Sequence, residues 1–81
     1  MDSESVFTDL AEYIIKAIVD HPEQVSIEYY EQPSTVIVEV SVADSDMGRV
    51  IGRGGIVVNS IRALLQVLAA KQGKRINLEI I

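Results

Sequence analysis

Three glycines fall within four positions, Gly52-Arg53-Gly54-Gly55, between two apolar segments that read as helices. No helix runs through such a stretch, so the chain must turn there. Without Cβ atoms the backbone adopts left-handed dihedrals at little cost, and a second chain can approach it closely. Arg53 puts a fixed positive charge on the tip. Gly55 stands where the following helix begins, so that helix presents unpaired N–H groups and its positive dipole end to the loop. Anionic groups suit such a place.

The rest of the chain arranges itself around this turn. Ser3 or Ser5 caps a helix expected to run to about Asp20, with Phe7, Leu10, Ala11, Ile14 and Ile18 as its buried stripe. Pro22 stops it. Val25, Ile27 and Tyr29 alternate with Ser26, Glu28 and Tyr30, a half-buried strand. Glu31-Gln32-Pro33-Ser34 is a turn, and Val36, Val38, Val40 and Val42 line one face of a second strand. The short turn makes the two an antiparallel hairpin. Asp44 or Ser45 caps a short helix from Met47 to Ile51. Ile56 to Lys71 form the longest helix, and Gly73 serves as its C-cap. Ile76, Leu78 and Ile80 alternate in a last strand. A right-handed crossover sets that strand parallel to the second. The expectation is one α+β domain over residues 1–81, in the order helix, strand, strand, helix, helix, strand, with three helices on one face of a mixed three-stranded sheet.

The net charge of −5 argues at first against an anionic partner. Its distribution argues otherwise. Residues 1–46 hold eleven acids and Lys16, a net of −10, while residues 47–81 hold six Lys or Arg and Glu79, a net of +5. Basic charge gathers in the half that carries the glycine turn. There is no cysteine, and the single histidine, His21, is read as a favourable charge at a helix C-terminus. Neither a metal site nor a cofactor site is expected. No Ser-His-Asp or paired-acid spacing points to catalysis. The acidic N-terminus lacks the basic region of a signal peptide, and no apolar run approaches a membrane span. A cytoplasmic, non-membrane protein is expected.

The long helix carries two apolar stripes. Val57, Ile61, Leu64, Leu65 and Leu68 are expected to face the sheet. Ile56, Ala63, Val67 and Ala70, with Ser60 among them, form a second stripe roughly 120° away. Asn59, Arg62 and Gln66 remain as a narrow polar arc. A helix apolar on two sides is buried on two sides. The second stripe lies either under the first helix or against another chain. Ala63 and Ala70 permit close approach in both cases, and the dimer interface is the favoured reading.

Nucleotide-binding readings of the glycines fail on spacing. A phosphate-binding loop ends in Gly-Lys-Ser/Thr, whereas Gly52 is followed by Arg53 and Gly54. The dinucleotide pattern needs a preceding strand and a third glycine, where this chain has Val57. A glycine-x-x-glycine turn between helices instead matches the signature of KH domains, which clamp about four nucleotides of single strand.

The order of elements resembles a type II KH domain. The segment from Asp46-Met47-Gly48-Arg49 through Val50-Ile51-Gly52-Arg53-Gly54-Gly55 is similar to that of the small single-KH proteins of the KhpA (YlqC-like) family. So are the ending Gly73-Lys74-Arg75-Ile76-Asn77-Leu78-Glu79-Ile80 and the turn Asp20-His21-Pro22-Glu23. The resemblance spans essentially the whole chain. It implies single-stranded RNA binding of a chaperone kind without catalysis, and dimerisation with itself or with a KhpB (Jag-like) KH partner. On that footing the RNA-binding residues are Arg49, Ile51, Gly52, Arg53, Gly54, Gly55, Ile56, Lys74 and Arg75. Lys74 and Arg75 are expected in the family's variable loop, across the groove from Arg53. The dimer-interface residues are Ile56, Ser60, Ala63, Val67 and Ala70. The chain departs from the family at Gly54, where a larger polar residue is more usual. It departs again in the unusually apolar run Ile56-Val57-Val58. Both departures lower the expected RNA affinity or shift weight to the rival reading, a protein-interaction module.

Overall fold

The structure is a computed structural model that describes residues 3–81, with side chains from residue 6 onward. Helix α1 (Ser3–Ile18) precedes strands β1 (Ser26–Glu31) and β2 (Thr35–Ser41). Helices α2 (Met47–Ile51) and α3 (Ile56–Lys71) then lead to β3 (Arg75–Ile80). The sheet order is β1-β2-β3, antiparallel in the first pair and parallel in the second. This is the expected α+β arrangement, with the elements in the order expected of a KH fold.

Register explains how the core forms. The rows Ile27–Val40–Ile80 and Tyr29–Val38–Leu78 cross the sheet on its inner face. Against them pack Phe7, Ala11 and Ile15 of α1, Val50 of α2, and Val58, Ile61, Leu65 and Ala69 of α3. Phe7 stacks on Tyr29 with ring centroids 6.3 Å apart. The outer face is open. There Glu28, Glu39 and Glu79 stand in register across all three strands, a like-charge row that costs stability.

Several expectations are corrected. The caps assigned to Ser3 or Ser5 fall on side chains outside those described. Ile15, absent from the expected stripe, is fully buried at the helical spacing i, i+4, i+8 from Phe7 and Ala11. Leu64 is not in the core but 55% exposed. The buried face of α3 is centred on Val58, Ile61, Leu65 and Ala69, and Leu64 lies roughly 100° from that centre. Ahead of α2, Asp44–Asp46 form a 3-10 turn, and neither Asp44 nor Ser45 caps the helix.

Helix α1 stops at Ile18 rather than Asp20 because α2 takes hold of its end. The Asp46 carboxylate, 1% exposed, accepts the backbone N–H groups of Asp20 and His21, each at 3.0 Å. Arg49 Nη1 donates to the Ile18 carbonyl at 3.3 Å and to Asp20 Oδ1 at 3.2 Å. The helix end and the segment leading to the glycine turn are thus clasped together. The bond from the Asp20 N–H, chiefly, holds the Asp46 carboxyl below its ordinary value, with His21 and Arg49 assisting against the opposing effect of burial. A carboxylate depressed by folding stabilises above its unfolded value and loses that contribution as pH falls through the folded one. Stability should therefore fall on acidification. Glu31, also depressed, chiefly by its hydrogen bond from Lys74, acts in the same direction. Asp46→Asn should lower the urea midpoint at neutral pH and flatten its decline toward acid. An unchanged midpoint and slope would show that the clasp carries no stability.

Candidate functional site

Helix α2 and its preceding turn meet α3 at a bend of 48°. The bend is Gly52-Arg53-Gly54-Gly55. Gly52 closes α2 by donating its N–H to the Gly48 carbonyl at 2.8 Å, and Gly55 donates back to the Gly52 carbonyl at 3.1 Å. Gly52 has φ 77° and ψ 169°, a conformation open essentially to glycine alone. A Cβ there would lie 2.5 Å from Val57 Cγ2 and 2.9 Å from Val57 N. Gly54 has φ 64° and ψ 17°, and a Cβ on it would meet nothing within 4 Å. The two glycines therefore differ in kind. Gly52 is required by the approach of α3, whereas Gly54 needs only a residue at ease in the left-handed region. Gly52→Ala should cost about 2–4 kcal/mol of stability. Gly54→Ala should cost about 1–2 kcal/mol. Thermal melts that rank the two equally would contradict this account.

The loop offers its backbone outward. Arg53 and Gly54 are exposed, and Gly52 and Gly55 half-exposed. Ile51 on one side and Ile56 on the other are exposed apolar side chains, Ile56 to 64%. Val50, just before Ile51, is wholly core, and Val58, part of the apolar run after the loop, is also buried. That run is apolar largely because the core begins within one turn of Gly55.

The other expected site residues are not brought to the loop. Arg49 is turned away, engaged with Ile18 and Asp20. Helix α3 runs antiparallel to β3. Arg62 Nη2 donates to the Leu78 carbonyl at 2.8 Å, Ile76 N–H to Gln66 Oε1 at 3.1 Å, and Lys74 N–H to the Ala69 carbonyl at 2.9 Å. Lys74 and Arg75 therefore stand at the far end of α3, about 24 Å along the helix from the loop. They do not face Arg53 across one groove of one chain. Lys74 is ion-paired with Glu31, while Arg75 opens β3 opposite Thr35 on the outer face. Sequence reasoning passed over Arg62 and Gln66 as a plain polar arc. In the fold they satisfy the free edge of β3, a partner that helical periodicity cannot reveal.

The second stripe of α3 lies open on the protomer. Ile56 (64%) and Val67 (68%) are largely exposed, and Ser60, Ala63 and Ala70 are exposed with them. Helix α1 does not cover it. Leu64 joins it from the misassigned core stripe.

Among the described residues, no three His, Asp or Glu side chains are grouped to hold a metal ion. No single helix among them is long and apolar enough to cross a membrane.

A family model described as the KhpA/KhpB KH domain matches residues 8–80. The chain belongs to this family. It is 40% identical over 73 residues to the RNA-binding protein KhpA of Borreliella burgdorferi, covering 90% of this chain and 89% of that protein. It is 44% identical over 68 residues to the RNA-binding protein KhpA of Listeria monocytogenes, covering 84% of this chain and 90% of that one. Relatives named in this way mark a binding family rather than an enzymatic one. The fold also recurs in the crystal structure of Era in complex with MgGDPNP and nucleotides 1506–1542 of 16S ribosomal RNA, with a TM-score of 0.66. That match spans 99% of this chain and 30% of the Era chain. At 14% identity it is a likeness of fold alone.

Proposed function

We propose that this chain is a cytoplasmic, non-catalytic KH protein that holds single-stranded RNA at Gly52–Gly55 and works as a dimer through the outer face of α3. The observation that carries the RNA reading is the loop itself. Three of its four residues, Gly52, Gly54 and Gly55, have positive-φ backbone forms that disfavour side chains, and its exposed tip bears an unpaired cation beside the N-terminus of a 16-residue helix. Phosphate oxygens accept hydrogen bonds from N–H groups and cations of this kind. The family's KhpA relatives, named as RNA-binding proteins, support the same reading. The exposed stripe of α3 supports the dimer, either of two copies or with a KhpB-type KH protein. Lys74 and Arg75 act as secondary contacts at most, given their distance from the loop.

Fluorescence anisotropy with labelled single-stranded RNA tests the proposal. Binding should prefer single strands to duplex and weaken as salt rises. Each neutralised phosphate adds about −0.7 to the logarithmic salt slope for single strands. Arg49, Arg53, Lys74 and Arg75 together cap that slope near −3 per domain, roughly, and the engagement of Arg49 and Lys74 makes it shallower. Tighter binding to duplex DNA would point to a different recognition mode. The absence of any binding, with a stable dimer, would favour the protein-interaction module.

A further inference from the structure

Resting on the dimer just proposed, we infer that Lys71 of one protomer completes the RNA-binding loop of the other, so that each site is built from two chains. The argument begins with which cations are already engaged. Lys16 pairs with Glu12, Arg49 with Asp20 and Lys74 with Glu31. Arg62 is held by Asn59 and the Leu78 carbonyl. Among the described residues this leaves Arg53, Lys71 and Arg75 with no side-chain partner. Arg75 lies on the outer face of the sheet. Lys71 does not. It closes α3 on the same side as the exposed stripe, about 60° around the helix from Ile56 at 100° per residue.

The stripe fixes how a second copy would sit. It runs from Ile56 to Ala70, its midpoint is Ala63, and it contains no acidic residue. The smallest side chains allow the closest approach, so Ala63 belongs at the crossing point. A two-fold interface is self-complementary, and a parallel pairing would set Lys71 against its copy and align the helix dipoles. An antiparallel pairing avoids both. Centred on Ala63, it places Ile56 opposite the partner's Ala70, and Lys71 beside Gly55 and Ile56 of the other chain. At the shallow crossing of about 20° common for paired helices, the ends stay within reach of a lysine side chain. Three positive groups then converge from two chains: Arg53, the N-terminus of α3, and Lys71. They repel one another unless an anion lies between them, and a phosphodiester supplies it. Single-chain geometry separates Lys71 from its own loop by the length of α3.

Mixed dimers decide the point. One chain carries Arg53→Asp with Gly54→Asp, and the other carries Lys71→Glu. The two are co-purified through different tags. If Lys71 acts in trans, one intact site survives, formed by the unaltered loop of the Lys71→Glu chain and Lys71 of its partner. Wild-type affinity at half the stoichiometry is expected. With both lesions on one chain and a wild-type partner, no intact site remains, and anisotropy should show weakening of about three- to tenfold or more. The reverse ranking would place Lys71 in cis and overturn the inference. So would a Lys71→Glu homodimer that binds RNA as the wild type does, with the loop reading left standing. A wild-type chain that sediments as a monomer would overturn both the dimer and the composite site. Lys71→Gln, with no charge added at the interface edge, replaces Lys71→Glu if sedimentation shows that the latter dissociates.

Discussion

Replacing Arg53 and Gly54 together with aspartates should lower the affinity for single-stranded RNA by about a hundredfold or more, while circular dichroism and melting stay close to native. A charged hydrogen bond to phosphate is lost, at about 1.5–3 kcal/mol, and two carboxylates now repel the backbone they replace it against. The fold should tolerate the change for a reason that lies in the loop geometry. Arg53 is exposed, and a Cβ on Gly54 enters open space. Aspartate is among the residues best able to occupy the left-handed conformation that Gly54 adopts. The same substitution at Gly52 would drive a side chain into Val57 and test stability instead of binding. Native spectra with unchanged RNA affinity would remove the loop as the site.

Ala63→Glu should convert the dimer to monomers at tens of micromolar in sedimentation. Two carboxylates would meet across the two-fold axis in a dry interface, at a cost on the order of 2–5 kcal/mol. The protomer should keep its fold, because Ala63 is exposed and the core of α3 runs through Ile61 and Leu65 on the other side. A wild-type chain that is strictly monomeric, and that recovers no KH partner in pull-down, would sink the interface. The open stripe of Ile56, Val67 and Leu64 would then need another occupant.

The division between sequence and structure follows from the range of the forces involved. Local chemistry was legible in the chain. The alternation of valines in β2, the glycine turn and the length of α3 are set by dihedral preference and hydrophobic period, and the observed elements match them. The second apolar stripe of α3 was legible as well, and the structure leaves Ile56 and Val67 of that stripe exposed on the protomer. Long-range partners were not. Periodicity could not say whether Leu64 or Val58 turned inward, since the apolar arc of α3 is broad enough to include both and only the seat of α3 on the sheet chooses which part of it is buried. Nor could it show that Asp46 would be buried against the end of α1, 25 and 26 residues earlier in the chain, or that Arg49 would be occupied there. The placement of Lys74 and Arg75 is the clearest case. In sequence they follow α3 closely and share the sign of Arg53. In space the antiparallel run of α3 along β3 carries them to the opposite end of the domain. A charge in a sequence has a sign and a neighbourhood, but its distance from another charge is decided by the path of the backbone between them.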